Sequence, residues 1–441
     1  MTFSSSKLAL LGDSITFNNR IAPGTTQCTN SKGYATWLNI LSGQRFNCPF
    51  SNNFGVSGDN LSQMSSRVSN VIASGSTVCI VLGGTNDLTQ GNNFSAMQGT
   101  MLNGILLPLV NASIQVIVLP ILPRAGLTTQ QALIGQNFNS WLRELCLGTG
   151  YLSTQSNINP QNWPILVDPT EYLQDATSPI GASLPHYTFD GLHPASMGAY
   201  WIGYALFQTL TALYPPRPTK QIAVMDYYDA VNNPYGNLLA TPGSNSGLLF
   251  GTSGINLTTT GLTPTGSVAT SWRQFRGIGT GTGTTLVGSK ENPRQDIVNR
   301  QANGERQKQV ITLGGTGGES DETYSLGLTK AISTGLSAGD TVFGEICFEV
   351  QGTPFNLTGI EFNISENGPA HPQLYIANML QTGDPANFTW AFKGTLRTPP
   401  MTLQSGFSSL NVYTKVHMNA STNQGNCTIL WSDASVRKVA P

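Results

Sequence analysis

The chain has 441 residues, room for two domains, with a net charge of −1 and only 10% Asp, Glu, Lys and Arg, against about a quarter in an average globular domain. So little net charge excludes an electrostatic partnership with nucleic acid or an anionic membrane, and no apolar stretch reaches the length of a membrane span. Gly, Ser, Thr and Asn take the place of charge, a composition that points to an extracellular or virion-associated protein, and residues 1–7 carry no basic region followed by a long apolar core, so no signal peptide is read there.

The first predicted element is an apolar run at 8–11 that stops at Gly12 and is followed by Asp13 and Ser14. Such a run reads as a buried strand of a parallel sheet, and a serine just past its carboxyl end stands where open α/β sheets place their ligands. Tyr34, Trp37, Leu38 and Leu41 then recur at helical spacing, and an irregular second strand is read at 45–54. Gly55-Val56-Ser57-Gly58 leads into an amphipathic helix marked by Leu61, Met64, Val68, Val71 and Ile72. A β-branched third strand at 77–82 ends in Gly83-Gly84-Thr85-Asn86-Asp87. A helix around 95–111, disturbed by Pro108, precedes a fourth strand at 114–119, and Leu133, Phe138, Trp141, Leu142 and Leu145 give the apolar face of a helix over 129–147. A short strand at 165–167 and a polar loop at 168–192 lead to Asp190-Gly191-Leu192-His193-Pro194 and a last helix at 195–213, with Tyr200, Trp201, Tyr204, Phe207 and Leu210 inward. Alternating strands and helices predict a parallel sheet covered on both faces. The breaks at 12, 58 and 84 all follow strands, so they share one edge of that sheet.

Ser14 needs a base and an anion-stabilising pocket. Asp190 and His193 lie three residues apart on one turn, so His193 is placed to take the Ser14 proton while Asp190 fixes its tautomer, and the order Ser…Asp…His is a known order for such triads. Three oxyanion donors are available, each worth about 3–4 kcal/mol: the backbone N–H of Ser14, the backbone N–H of Gly58 and the side-chain amide of Asn86. Asp13 and Asp87 read as loop-holding residues, and His186 as a loop residue. A metal set of Asp13, Asp190, His186 and His193 is the alternative, disfavoured because metallophosphatases carry denser Asp/His clusters.

These four blocks, Gly12-Asp13-Ser14, Gly58, Gly84-Thr85-Asn86-Asp87 and Asp190-Gly191-Leu192-His193, resemble in order and placement those of the SGNH, or GDSL-type, hydrolases, over roughly residues 5–213. The resemblance implies a flavodoxin-like sheet of five parallel strands, hydrolysis of an O-linked acyl group through an acyl-enzyme, and no metal or organic cofactor. Ser14, Asp190 and His193 are then the catalytic residues, and Ser14, Gly58 and Asn86 the oxyanion hole.

The Pro-rich segment 215–219 reads as a stiff linker between a hydrolase domain at 1–214 and a second domain at 220–441. There the pattern changes to alternation, as in Val342, Ile346, Phe348 and Val350, or Leu410, Val412, Val416 and Met418, or Cys427, Ile429 and Trp431. This predicts an antiparallel β-sandwich or jelly roll, loosely similar to carbohydrate-binding or phage-tail modules, with 277–293 a long loop. Trp272, Phe275, Trp390 and Phe392 are candidates to stack on sugar rings, with core packing as the competing reading. The six cysteines show no zinc spacing; Cys79 reads as a core residue and a Cys28–Cys48 bridge stays open.

The expected function is a serine esterase removing O-acyl groups, acetyl first, from a polysaccharide or glycan. The alternatives are a lipolytic or small-acyl-ester hydrolase of the same fold and a non-catalytic glycan-binding or virion structural protein. The expected partner is the acylated glycan, with homo-oligomerisation an option and a trimer implied for a phage tail component.

Overall fold

Alternate residues of short apolar strands must face opposite sides of a parallel sheet, and both sides must be covered. The structure, a computed structural model, describes residues 8–19, 26–29, 32–46, 48, 50–147, 163–214, 226–241, 244–292, 304–368, 374–378 and 388–439. Strands β1 (Leu8–Gly12), β3 (Asn53–Gly55), β4 (Val78–Leu82), β5 (Gln115–Val118) and β6 (Ile165–Leu166) form a parallel sheet in the order β3-β1-β4-β5-β6. Ala9, Leu11, Cys79, Val81, Val116 and Val118 bury one face against α3 (Leu61–Ser65), α4 (Val68–Ala73), α6 (Phe94–Gly99), α7 (Leu107–Asn111) and α8 (Thr129–Cys146). Leu8, Leu10, Val78, Ile80, Leu82 and Ile117 bury the other against α2 (Tyr34–Leu41) and α10 (Ser196–Leu213).

Some local expectations shift. The helix at 61–72 is two pieces, with Arg67 between them, and Ile72 is exposed. Pro108 does not break its helix; it sits in the first turn of α7, where its missing N–H costs least, after a π-wide stretch at Thr100–Leu106. Leu133 points to solvent, whereas Phe138, Leu142 and Leu145 are buried. Among the described residues no helix is long and apolar enough to cross a membrane.

Among the described residues the second half forms two seven-stranded sheets that share one core, six strands of the second sheet coming from this half and one from the first. In one, Thr341–Phe355 pairs antiparallel with Gly425–Lys438 and Phe392–Arg397. In the other, Leu357–Asn367, Ser409–Met418, Glu322–Leu328 and Val268–Ile278 run antiparallel in sequence across the sheet. The alternation read at Val342 to Val350, Leu410 to Met418 and Cys427 to Trp431 is the inner face, each named apolar residue being buried. The sheets are mixed rather than purely antiparallel, because edge pairs such as Ser253–Asn256 with Val268–Ile278 are parallel. The stretch 277–293 is not one loop: Thr285–Glu291 is a strand paired to Arg306–Leu313. Trp272 and Phe392 are buried in the core and unavailable to a sugar, and Trp390 packs on Tyr200 and Trp201, with ring centroids 5.1 and 5.4 Å away. Phe275, with Tyr413 and Arg273, instead lines an outward groove of about 350 Å³.

The halves are joined through secondary structure. Strand β2 (Thr26–Thr29) leaves the first half and pairs in parallel with Leu374–Asn378 at the edge of the second sheet. Trp37 and Ile40 of α2, with Ala199 and Tyr200 of α10, belong to the sandwich core rather than to the parallel-sheet core. The Gln44 amide donates to the carbonyl of Thr395 at 2.6 Å. Glycine at 203 lets α10 lie on α2, since a Cβ there would stand 2.5 Å from the Trp37 Cβ and 2.8 Å from the Leu38 nitrogen. The 215–219 linker and the Cys28 side chain lie outside the described residues.

On the outward face of the second sheet, His417 lies 2.7 Å from Asp321 and 3.0 Å from buried Glu361, which also pairs with Lys415 at 3.2 Å. Burial alone pulls the imidazole pKa down, but the two carboxylates outweigh it and raise it to about 9; burial pushes Glu361 up, but His417 and Lys415 bring it down to about 2. A raised imidazole pKa stabilises the fold fully below the unfolded value of 6.5 and ceases to do so as pH rises through about 9. The lowered Glu361 stabilises fully above 4.5 and fails as pH falls through about 2. Tm is therefore expected to decline between pH 6.5 and 9, and a melting series on His417→Gln should show that decline flattened; an unchanged slope in the variant would assign it elsewhere.

Candidate active site

In the order β3-β1-β4, strand β1 has a neighbour on each side, so the loops after three adjacent strands open at one rim. Glycine at 12 is required there: a Cβ would fall 2.5 Å from the Leu82 carbonyl and 2.1 Å from the Thr16 hydroxyl. Asp13 caps the short α1 (Ser14–Phe17) by accepting from the Ile15 N–H at 2.9 Å, which sets Ser14 at the first helical position. Its other oxygen is buried without a hydrogen-bond partner, and burial pushes its pKa up to about 7 against the pull of Ile15 and the His193 charge.

The Asp190–His193 turn is closed on itself. Asp190 Oδ1 accepts from the backbone N–H groups of Leu192 and His193 at 3.0 and 2.7 Å, and Gly191 takes φ +85°. His193 Nδ1 lies 2.6 Å from Asp190 Oδ2, and Nε2 lies 2.7 Å from Ser14 Oγ. A carboxylate only accepts, so Nδ1 carries the proton and donates, leaving Nε2 to accept from the serine hydroxyl. Partial burial raises the Asp190 carboxyl, but the His193 ring and the backbone donors outweigh it and hold it below the usual range, so it stays ionised. Phe189 stacks on the imidazole at 5.6 Å.

Gly58 has φ +85°, open space where a Cβ would be, and no partner among the described residues for its N–H. Asn86, in α5 (Thr85–Thr89) after β4, donates one amide hydrogen to the carbonyl of Asp59 at 2.9 Å and retains a second. Ser14 N–H, at a helix start, has no intrahelical acceptor. Ser14, His193 and Asp190 are thus bonded in series, while Asn86 is bonded to Asp59, the residue after Gly58. Asp87 holds loops as expected, accepting from the Leu61 N–H and the Asn92 amide. His186 is exposed in its loop with φ +68°, and Asp13 is turned inward.

Sequence reading missed two arginines. Arg67 pairs with Asp59 and donates to the carbonyls of Phe54 and Gly12, each at 3.2 Å, tying the ends of β3 and β1 to the Gly58 loop. Arg124 donates to the Thr85 carbonyl and hydroxyl at 3.4 and 3.1 Å. Neither lies in a motif; low charge overall, which makes any arginine near a motif unusual, was the available signal.

The sequence matches the GDSL-like Lipase/Acylhydrolase family over residues 10–199, so the chain carries a domain of that type. No curated protein matches it. Among solved structures it is similar to a member of the lipolytic protein G-D-S-L family from Veillonella parvula DSM 2008, at 17% identity and TM-score 0.32 over 46% of this chain and 98% of that one. It is similar also to a carbohydrate esterase family 3 structure from Talaromyces cellulolyticus, at 20% and 0.30 over 47% and 97%. A looser likeness, at 14% and 0.24 over 38% and 56%, is to carbohydrate-binding modules from the β-sandwich superfamily.

Proposed function

We propose that the GDSL-like acylhydrolase domain at residues 10–199 is a serine esterase that removes O-acetyl groups from a glycan, with Ser14, His193 and Asp190 as its catalytic residues. The observation that carries the reading is the unbroken relay from Ser14 Oγ through His193 to Asp190. Ser14 Oγ attacks the ester carbonyl as its proton passes to His193 Nε2, and Asp190 stabilises the imidazolium. The N–H groups of Ser14 and Gly58 and the free hydrogen of the Asn86 amide receive the oxyanion. His193 returns the proton to the departing sugar oxygen, and water, activated by the same imidazole, releases acetate from the acyl-serine.

A small acyl group is favoured by the polar composition of the loop at 168–192 that leads to the Asp190–His193 turn; the cavity walled by Arg124, Gln136, Asn139 and Ser140 also carries Leu88, Ile121, Leu122 and Leu127. A glycan is favoured by the polar groups among those walls and by the rings of Phe275 and Tyr413 on the outward groove. The low charge of the chain supports a place outside a cell or on a virion, where such polymers are met. Mass spectrometry of a panel of acetylated polysaccharides should show a loss of acetyl groups, and p-nitrophenyl acetate should be turned over faster than the octanoate. A preference for octanoate would favour the lipolytic alternative. Asn86→Ala is expected to lower kcat by about 10²–10³-fold with little change in KM; a change confined to KM would remove Asn86 from the oxyanion hole.

A further inference from the structure

A cavity of about 340 Å³ opens between α8, the loop at 121–127 and the segment 170–181, a volume at the small end for ligand sites and suited to a sugar unit or two. Two of its lining residues are Arg124 and Arg143, and none is Asp or Glu. Arg143 is already paired, its guanidinium 2.6 Å from Asp168. Arg124 has no carboxylate within ion-pair distance among the described residues. Its Nε donates to the Ala125 carbonyl at 3.2 Å and its Nη1 to Thr85, which leaves both hydrogens of Nη2 unassigned. Burial pulls the guanidinium pKa down, with Asp190 and Asp13 opposing from beyond ion-pair distance, so this half-buried cation has no direct carboxylate partner in the cavity. Thr170, on the opposite wall, has a buried hydroxyl without a hydrogen-bond partner.

The place of Arg124 gives this charge its meaning. It bonds Thr85, the residue before Asn86, and the next residue, Ala125, donates its N–H to the Gly191 carbonyl at 2.7 Å within the Asp190–His193 turn. The cavity wall is thus tied by hydrogen bonds to the elements that carry Asn86 and the Asp190–His193 turn.

We propose that this cavity is a subsite for the carboxylate of an acidic sugar adjoining the acylated one, read by Arg124. A guanidinium suits this task, because charge-assisted hydrogen bonds to a carboxylate are about twice as strong as neutral ones. Gln136, Ser140 and Gln174 offer neutral partners for the hydroxyls of the same ring. The proposal deepens the esterase reading and rests on it for the identity of the site, so its test separates the two.

Binding is measured by calorimetry on full-length Ser14→Ala protein, which cannot consume a ligand through that serine. The probes are glucuronate, galacturonate and N-acetylneuraminate, each against its methyl ester. At least one acid is expected to bind about tenfold more tightly than its ester, with the advantage shrinking as NaCl is raised. Arg124→Gln should erase the advantage. Gln136→Glu, which leaves Arg124 in place and adds a negative charge at an exposed helix position lining the cavity, should weaken the acid and spare the ester. Equal binding of every acid and ester, or an advantage that survives Arg124→Gln, overturns the subsite. Failure of the esterase reading is seen separately, as wild-type turnover of p-nitrophenyl acetate that Ser14→Ala does not change.

Discussion

Replacing Ser14 with alanine is expected to lower kcat for p-nitrophenyl acetate by about 10⁴–10⁶-fold while leaving KM within a few-fold. The expectation comes from the relay, in which Ser14 Oγ is, among the described residues, the only group to which His193 Nε2 is bonded. The hydroxyl makes no other described hydrogen bond, so its loss should leave the melting temperature and circular dichroism nearly unchanged. His193→Ala should cost a similar factor, and the double variant should be no worse than either single one, since residues that act as a unit do not contribute additively. Multiplicative losses would mean that the two side chains act separately, and residual activity within tenfold of wild type would leave the nucleophile elsewhere.

The second large effect is on stability. Trp37 is fully buried, with ring centroids 5.1 Å from Tyr200, 5.5 Å from Phe388 and 6.3 Å from Phe392. It therefore connects α2, α10 and the strand Phe392–Arg397 at the meeting of the two cores. Trp37→Ala is expected to reduce the unfolding free energy by about 3–5 kcal/mol in urea titration. Because the same ring touches both halves, the variant should also lower cooperativity, with the parallel-sheet and sandwich signals separating into two transitions. A loss below about 1 kcal/mol, or a single unshifted transition, would mean that the halves do not depend on this contact.

Arg67 and Trp37 show why parts of the molecule were not legible in the chain. Arg67 falls within the one helix read from Leu61 to Ile72, and only the adjacent positions of β1 and β3 put the Gly12 and Phe54 carbonyls within its reach. Trp37 reads as a residue on an apolar helix face, which it is, but periodicity cannot say that the face is shared with a sandwich more than 350 residues on. For Trp272 and Phe392 the sequence left sugar stacking and core packing both open, because an aromatic residue in an alternating strand has the same local signature whichever side it faces; the structure bears out core packing for both. Their inward register was fixed by pairing with strands far away in sequence.

The sequence by itself determined the parallel sheet and the coarse β-rich second half, and it put forward Ser14, Gly58, Asn86, Asp190 and His193 as candidates. Those features are written in short-range signals: apolar runs of strand length, glycines that end them, and an acid and imidazole three residues apart. Only the tertiary structure decided that Ser14 Oγ and His193 Nε2 lie 2.7 Å apart, that β2 crosses to the far sheet, and that Arg124, with no ion-pair partner among the described residues, lines a cavity next to the loop bonded to the Asp190–His193 turn. Those outcomes depend on which distant surfaces are desolvated against one another, and a local pattern carries no record of its partner.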